Sequence, residues 1–189
     1  PLVGLDRPEL GERLSALVTR SFQIDQIYDA IYLRGITDFA DMTNLSLALR
    51  QELSDRFSLG LPAVASQQES ADGTTKFLLR LHDGASIETV DIPATSRRTL
   101  CISSQAGCGL ACAFCVTGYW GAGRNLSAGE IVGQVMLVRK LRNLPESLNL
   151  VFMGMGEPLL NLEAVHAALR LLAERISWRV SLAGSTPMD

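Results

Sequence analysis

Residues 101–115 read CISSQAGCGLACAFC and hold all four cysteines of the 189-residue chain. Cys108, Cys112 and Cys115 form a C-x3-C-x2-C triplet, and Cys101 stands seven residues upstream. A second marker, Gly154-Met155-Gly156-Glu157-Pro158, closes the apolar run from Leu148 to Met153. Each marker follows a segment that reads as a strand and precedes one that reads as a helix. Leu100 to Ser104 is the first strand, and Ser127 with Glu130 makes a capping box for the helix that follows. Leu148 to Met153 is the second strand, buried on both faces by its composition, and Leu162 to Ala173 is the next helix. A third strand begins at Val180 to Leu182. This β, loop, α, β, α, β order is the start of a βα barrel, whose active-site loops gather at the C-terminal ends of the strands.

Three thiolates do not complete a tetrahedral zinc site or a four-cysteine iron–sulfur site. They can hold three irons of a [4Fe–4S] cluster and leave the fourth open to a chelating ligand. S-adenosylmethionine (SAM) suits that iron, because its amino and carboxylate groups close a five-membered ring on the metal. Gly107, Gly109 and Gly118 let the loop wrap closely around an inorganic core. Glu157 supplies an acceptor for the SAM ammonium. A zinc knuckle with Cys101 as fourth ligand is the rival reading. It leaves the Gly-Glu-Pro marker without a role.

The C-x3-C-x2-C loop followed by Gly-Glu-Pro resembles the radical SAM superfamily. Four strings narrow the resemblance: Cys101 to Cys108, Gly123-Arg-Asn-Leu-Ser127, Glu130-Ile-Val-Gly-Gln134 and Val151-Phe-Met-Gly-Met-Gly-Glu-Pro-Leu159. Together they resemble the RlmN-type adenine methyltransferases, which methylate carbon 2 of adenosine in large-subunit rRNA and in some tRNAs. The Cfr-type relatives, which methylate carbon 8, are the alternative within the family. The resemblance implies cluster ligands at Cys108, Cys112 and Cys115, and SAM contacts at Gly156 and Glu157. It implies a proton acceptor at Glu88, a resolving thiol with a transient disulfide at Cys101, and a further SAM contact at Ser181. It also implies rRNA and tRNA as partners and a reducing protein as electron donor. Only the N-terminal half of the family is resembled, with roughly two and a half βα units of the barrel. No cysteine follows Cys115, so the family's methyl-carrying cysteine has no counterpart. The expectation is a fragment that does not complete a turnover alone. The alternative is a metal-stabilised half-domain, iron–sulfur or zinc, that binds RNA or a partner without catalysis.

Hydrophobic content of 47% and charged content of 20% are ordinary for a globular protein. No apolar run approaches the ~20 residues of a membrane span, and residues 1–12 do not read as a signal peptide. Clustered cysteines in that setting argue for a reducing cytoplasm and a metal, not a disulfide framework. Net charge is −3, but residues 97–142 carry five arginines and one lysine against Glu130 alone. That basic segment would suit a phosphate backbone. For Arg139, Lys140 and Arg142 a solvated helix face is the equal alternative.

Residues 1–60 read as a helical accessory domain. Asp6, Pro8 and Glu9 start the first helix, Phe22 to Leu33 form the second, and Asp38 to Met42 make a turn. Ser46 to Phe57 form the last. Residues 61–98 read as a linker, Leu61 to Ser70, then a hairpin of Thr74 to Leu81 and Ser86 to Ile92 around His82-Asp83-Gly84. Residues 99–189 are the barrel portion. His82 reads as a solvated turn residue and His166 as a helix-face residue.

Overall fold

The computed structural model describes residues 1–95, 97–110, 112–145, 148–173 and 179–180. The helical part begins with α1 (Arg7–Leu14), where Asp6 and Glu9 exchange backbone hydrogen bonds in a capping box. The next helix divides. α2 (Ser21–Tyr28) passes into a π turn at Asp29–Leu33, and Gly35 stops it at φ +64°. A 3-10 turn at Phe39–Asp41 is capped by Asp38, and α3 (Leu47–Arg56) is capped by Ser46.

The expected linker is a strand. β1 (Ala63–Glu69) pairs antiparallel with β2 (Thr75–Arg80), and all seven of its residues are exposed. With nothing buried on either side, it carries no alternation of apolar and polar residues from which a strand is read. β3 (Ser86–Ala94) follows the tight turn as expected and pairs with both β2 and β4 (Arg97–Cys101). From β4 the pairing turns parallel. β7 (Asn149–Val151) lies beside β4, and β8 (Arg179–Val180) beside β7, giving the order β1-β2-β3-β4-β7-β8. The hairpin is thus continuous with the parallel sheet.

Several expected boundaries shift. The first parallel strand is Arg97–Cys101, not Leu100 to Ser104. Its continuation leaves the sheet as β5 (Gln105–Ala106), which pairs with β6 (Arg124–Asn125). The second parallel strand is confined to Asn149–Val151, with Leu150 buried and its two neighbours half-buried, so it is not buried on both faces. α4 (Ala128–Arg142) has the expected capping box, and α5 (Leu162–Ala173) follows a 3-10 turn at Pro158–Asn161. The expected third strand contributes Val180 to β8; Ser181 and Leu182 lie outside the described residues.

One cluster of buried apolar side chains runs from Leu2 through the sheet to Leu172, joining the helical part to α4 and α5. The closest seam is at Gly4 and Gly129. A Cβ on Gly129 would stand 2.2 Å from the Val3 carbonyl oxygen, so only glycine fits.

Register sorts the side chains of the sheet into two faces. Thr75, Phe77, Leu79, Ile87, Thr89, Asp91 and Leu100 face the α4 side and are buried. Lys76, Leu78, Arg80, Glu88, Val90, Arg97, Thr99 and Cys101 share the other face. The basic segment is correspondingly divided. Arg98 grips the fully buried Asp91 carboxylate through two bonds of 2.6 and 2.5 Å. Arg142 reaches the same carboxylate at 3.3 Å and Glu69 at 3.0 Å. Arg142 is therefore an internal brace and not part of a solvated helix face.

Among the described residues, no helix is long and apolar enough to cross a membrane.

Candidate active site

The site forms where β4 and β7, neighbours in the parallel sheet, release their chains into the two marker loops. The loops are laced together by the backbone. The Ile102 N–H donates to the Val151 carbonyl at 2.9 Å, and the Gly154 N–H donates to the Ile102 carbonyl at 3.1 Å. The N–H groups of Ser104 and Gln105 both donate to the Met155 carbonyl, at 2.9 and 3.1 Å. Such close passage excludes side chains. A Cβ on Gly154 would sit 2.7 Å from Ser103 Oγ, and one on Gly156, at φ +93°, 2.4 Å from Gln105 Cβ.

Side chains complete the lacing. Ser103 Oγ donates to the Glu88 carbonyl at 2.6 Å and accepts the Met155 N–H at 2.9 Å. Gln105 Oε1 accepts the Glu157 N–H at 2.9 Å, while its Nε2 donates to Asn125 Oδ1 at 2.7 Å. Gln134, fully buried on α4, accepts from the Thr89 hydroxyl and the Ser103 N–H, each at 2.9 Å, and donates to the Ser103 carbonyl at 3.0 Å. Asn161 donates to the carbonyls of Ser104 and Leu126, both at 2.8 Å. Sequence reading gave none of these residues a role. Ser103, Gln105 and Gln134 lie inside the motif strings and Asn161 just beyond the last, but a polar side chain reads as surface until its partners are known.

The cysteine loop is closed at its base by β5 and β6. A Cβ on Gly123, at φ +56°, would fall 1.5 Å from the Ala106 carbonyl oxygen, and the Cys108 N–H donates to the Gly121 carbonyl at 2.9 Å. Arg124 locks this base. Its Nε donates to Asp83 at 2.6 Å, and its Nη atoms donate to Glu130 at 2.9 and 2.7 Å. The Arg124 hydrogen bond holds the Asp83 carboxyl down at about 2. Burial pushes the Glu130 carboxyl up, but bonds from Arg124 and Ser127 outweigh it and the net shift is downward. Arg124 is thus a clamp and not a free cation.

All four cysteines are free thiols. Cys108, Cys112 and Cys115 are half-buried on the loop, and Phe114 beside them is 92% exposed. The Thr117 hydroxyl, with the Thr117 backbone, draws the Cys115 thiol below its ordinary range. Cys101 ends β4 inside the sheet, buried, and desolvation pushes its thiol up against a smaller opposing bond from the Met153 backbone. Among the described residues, no three His, Cys, Asp or Glu side chains are grouped so as to hold a metal ion. The donor chemistry nonetheless fits an iron–sulfur cluster, since no His, Asp or Glu lies between Cys108 and Cys115 and thiolates are the usual cluster ligands.

Glu88 projects from β3 onto the same face as Cys101, with Lys76 Nζ 3.0 Å from its carboxylate. Glu157 caps the 3-10 turn, one carboxylate oxygen accepting the Leu159 N–H at 3.0 Å. The structure therefore brings Glu88 and Cys101 to one face, and ties the start of the cysteine loop, at Gln105, to Gly156 and Glu157. Ser181 lies outside the described residues.

Residues 1–59 match the model of the ribosomal RNA large subunit methyltransferase N-terminal domain, and residues 102–189 match that of the radical SAM superfamily. The chain is 50% identical over 175 residues to the dual-specificity RNA methyltransferase RlmN of Halorhodospira halophila, covering 92% of this chain and 48% of that protein. It is 47% identical over 186 residues to the RlmN of Dinoroseobacter shibae, covering 90% and 47% respectively. A radical SAM methyltransferase from Sphaerobacter thermophilus superposes with a TM-score of 0.87 at 38% identity, over 96% of this chain and 56% of that one. The chain thus spans about half the length of the curated relatives it matches.

Proposed function

The chain belongs to the RlmN family of radical SAM methyltransferases, and from that premise we propose that it carries the cofactor-binding half of an RNA (adenine-C2) methyltransferase. The observation that supports this best is the lacing of the two marker loops at the ends of adjacent parallel strands. It ties the start of the cysteine loop, at Ser104 and Gln105, to Met155 and Glu157 of the second marker. In this reading Cys108, Cys112 and Cys115 hold a [4Fe–4S] cluster and leave one iron for SAM. When bound, the cluster supplies the electron, delivered by a reducing protein, that cleaves SAM.

The chain's own residues do the rest by position. Glu157 spends one carboxylate oxygen on the Leu159 N–H, which fixes its rotamer and leaves the other oxygen for the SAM ammonium. Gly156, which must lack a Cβ because Gln105 fills that place, offers its backbone to that ammonium in this reading. Glu88 accepts the proton that leaves the adenine ring; its pairing with Lys76 holds the carboxylate over the open face. Cys101 would attack last, as the resolving thiol, at the sulfur of the methyl-carrying cysteine. The transient disulfide forms as the bond from that sulfur to the transferred carbon breaks, and the carbon keeps the electron pair and takes a proton to become the methyl group. The burial of Cys101 keeps it a thiol until then. The substrates in this reading are large-subunit rRNA and tRNA, which places the work in the cytoplasm. The methyl-carrying cysteine is not among these 189 residues, so turnover requires it from elsewhere.

The test supplies the C-terminal half of a curated relative in trans, with SAM, dithionite and an rRNA fragment. Methyladenosine substituted at carbon 2 is expected by mass spectrometry of digested nucleosides, and only when both parts are present. Glu88→Gln should abolish it while 5′-deoxyadenosine still forms. Methylation by this chain alone, or at carbon 8, would overturn the assignment.

A further inference from the structure

The charges of the sheet are segregated by face. On the α4 side Asp91 and Glu69 are matched by Arg98 and Arg142. The opposite face carries Lys76, Arg80 and Arg97, all exposed, and Glu88 as the acid among the strand positions that register places there. Among the described residues neither Arg80 nor Arg97 has an ion-pair partner, whereas Arg124, Arg98 and Arg142 are committed to carboxylates. Three of the six basic residues in 97–142 are thus matched by carboxylates, while Arg80 and Arg97 leave unpaired positive charge on the face that also presents Glu88 and Cys101.

The spacing on β2 is specific. Leu78 lies directly opposite Glu88, and Lys76 and Arg80 stand two positions to either side of Leu78. At ~3.3 Å per residue their Cα atoms are roughly 13 Å apart along the strand. They bracket Glu88, with a half-buried apolar side chain between them. We infer that Lys76 and Arg80 form a phosphate-binding strip that holds the RNA backbone on either side of the nucleotide whose base is turned in toward Glu88. This rests on the RNA reading above and adds the residues that grip the strand. An enzyme acting on a ring carbon of a base must hold that base out of its stack, and backbone contacts flanking it supply the hold. Lys76 serves both ends, since its ammonium can face a phosphate while it remains paired to Glu88 at 3.0 Å.

Binding of an adenosine-containing single-stranded RNA oligonucleotide to the chain, followed by fluorescence anisotropy across a salt titration, tests the strip. Each phosphate contact on a single strand contributes ~0.7 to the slope of log K against log salt. Lys76→Gln/Arg80→Gln should lower the slope by roughly one to one and a half and weaken binding about tenfold at moderate salt. Lys76→Arg/Arg80→Lys should restore both. Arg20→Gln/Arg56→Gln, which removes two exposed charges from the helical part, should change neither. Arg80→Gln alone breaks no ion pair and carries the test if the double variant unfolds; its expected slope change is about half. RNA binding with an unchanged slope in the variants, or an equal loss in the Arg20/Arg56 control, overturns the strip alone. A wild-type chain that binds no RNA overturns the strip and the RNA reading together.

Discussion

At the scale of single residues, burial and conformation decide what each group can do. Cys101 is buried and its thiol is pushed up, whereas Cys108, Cys112 and Cys115 are half-buried on a loop. Alkylation runs through the thiolate. In cluster-free protein at pH 7.5, iodoacetamide should therefore modify the three loop cysteines well before Cys101, read by peptide mass spectrometry. Equal rates would show that Cys101 is not held inside the sheet. Gly123 makes a second test. Its positive φ and the carbonyl 1.5 Å from a would-be Cβ mean Gly123→Ala must force the loop base open. A substitution incompatible with the native backbone costs more than ~1 kcal/mol, measurable by urea unfolding. The candidate cysteines and the Gly-Glu-Pro turn stood out at this scale because their spacing and order are distinctive patterns. Gln134, Asn161 and Ser103 were not, since a buried amide or hydroxyl is identified by its partners and not by its neighbours in sequence.

At the scale of elements, polar pins hold the ends of the strands. Gln134→Ala would leave the buried Ser103 N–H and carbonyl and the Thr89 hydroxyl without that partner. At ~1–3 kcal/mol for each unsatisfied buried group, a loss of at least ~2 kcal/mol is expected in denaturant unfolding. The Arg124 clamp adds a pH dependence. Asp83 titrates at about 2 in the folded chain against an ordinary value of 3.8. The depressed carboxyl contributes stability above the unfolded value and loses it as pH falls from 3.8 toward about 2. Arg124→Gln should flatten the acid limb of the stability curve between those two values, seen as a smaller change in urea midpoint. The helices and the β2–β3 hairpin were legible through caps, periodicity and a turn signal. β1 was not, because it earns its place by backbone pairing alone. The short extents of β4 and β7 were not either: the chain leaves the sheet to lace the marker loops, a tertiary demand that no local pattern announces.

At the scale of the whole molecule, one apolar cluster ties the helical part to the sheet and its helices. The order of strands, loops and helices announced a βα barrel portion. The segregation of charge onto two faces did not show, since it depends on register and not on composition. The central claim is that three cysteines of one loop hold an open-iron cluster while the fourth stays apart as a thiol. Anaerobic reconstitution with iron and sulfide, read by visible absorbance and iron content, tests it most directly. The chain and its Cys101→Ala variant should both gain a [4Fe–4S] spectrum, and Cys108→Ala, Cys112→Ala and Cys115→Ala should each lose it. A Cys101→Ala variant that fails to take up the cluster, or a loop variant that keeps it, would contradict the account.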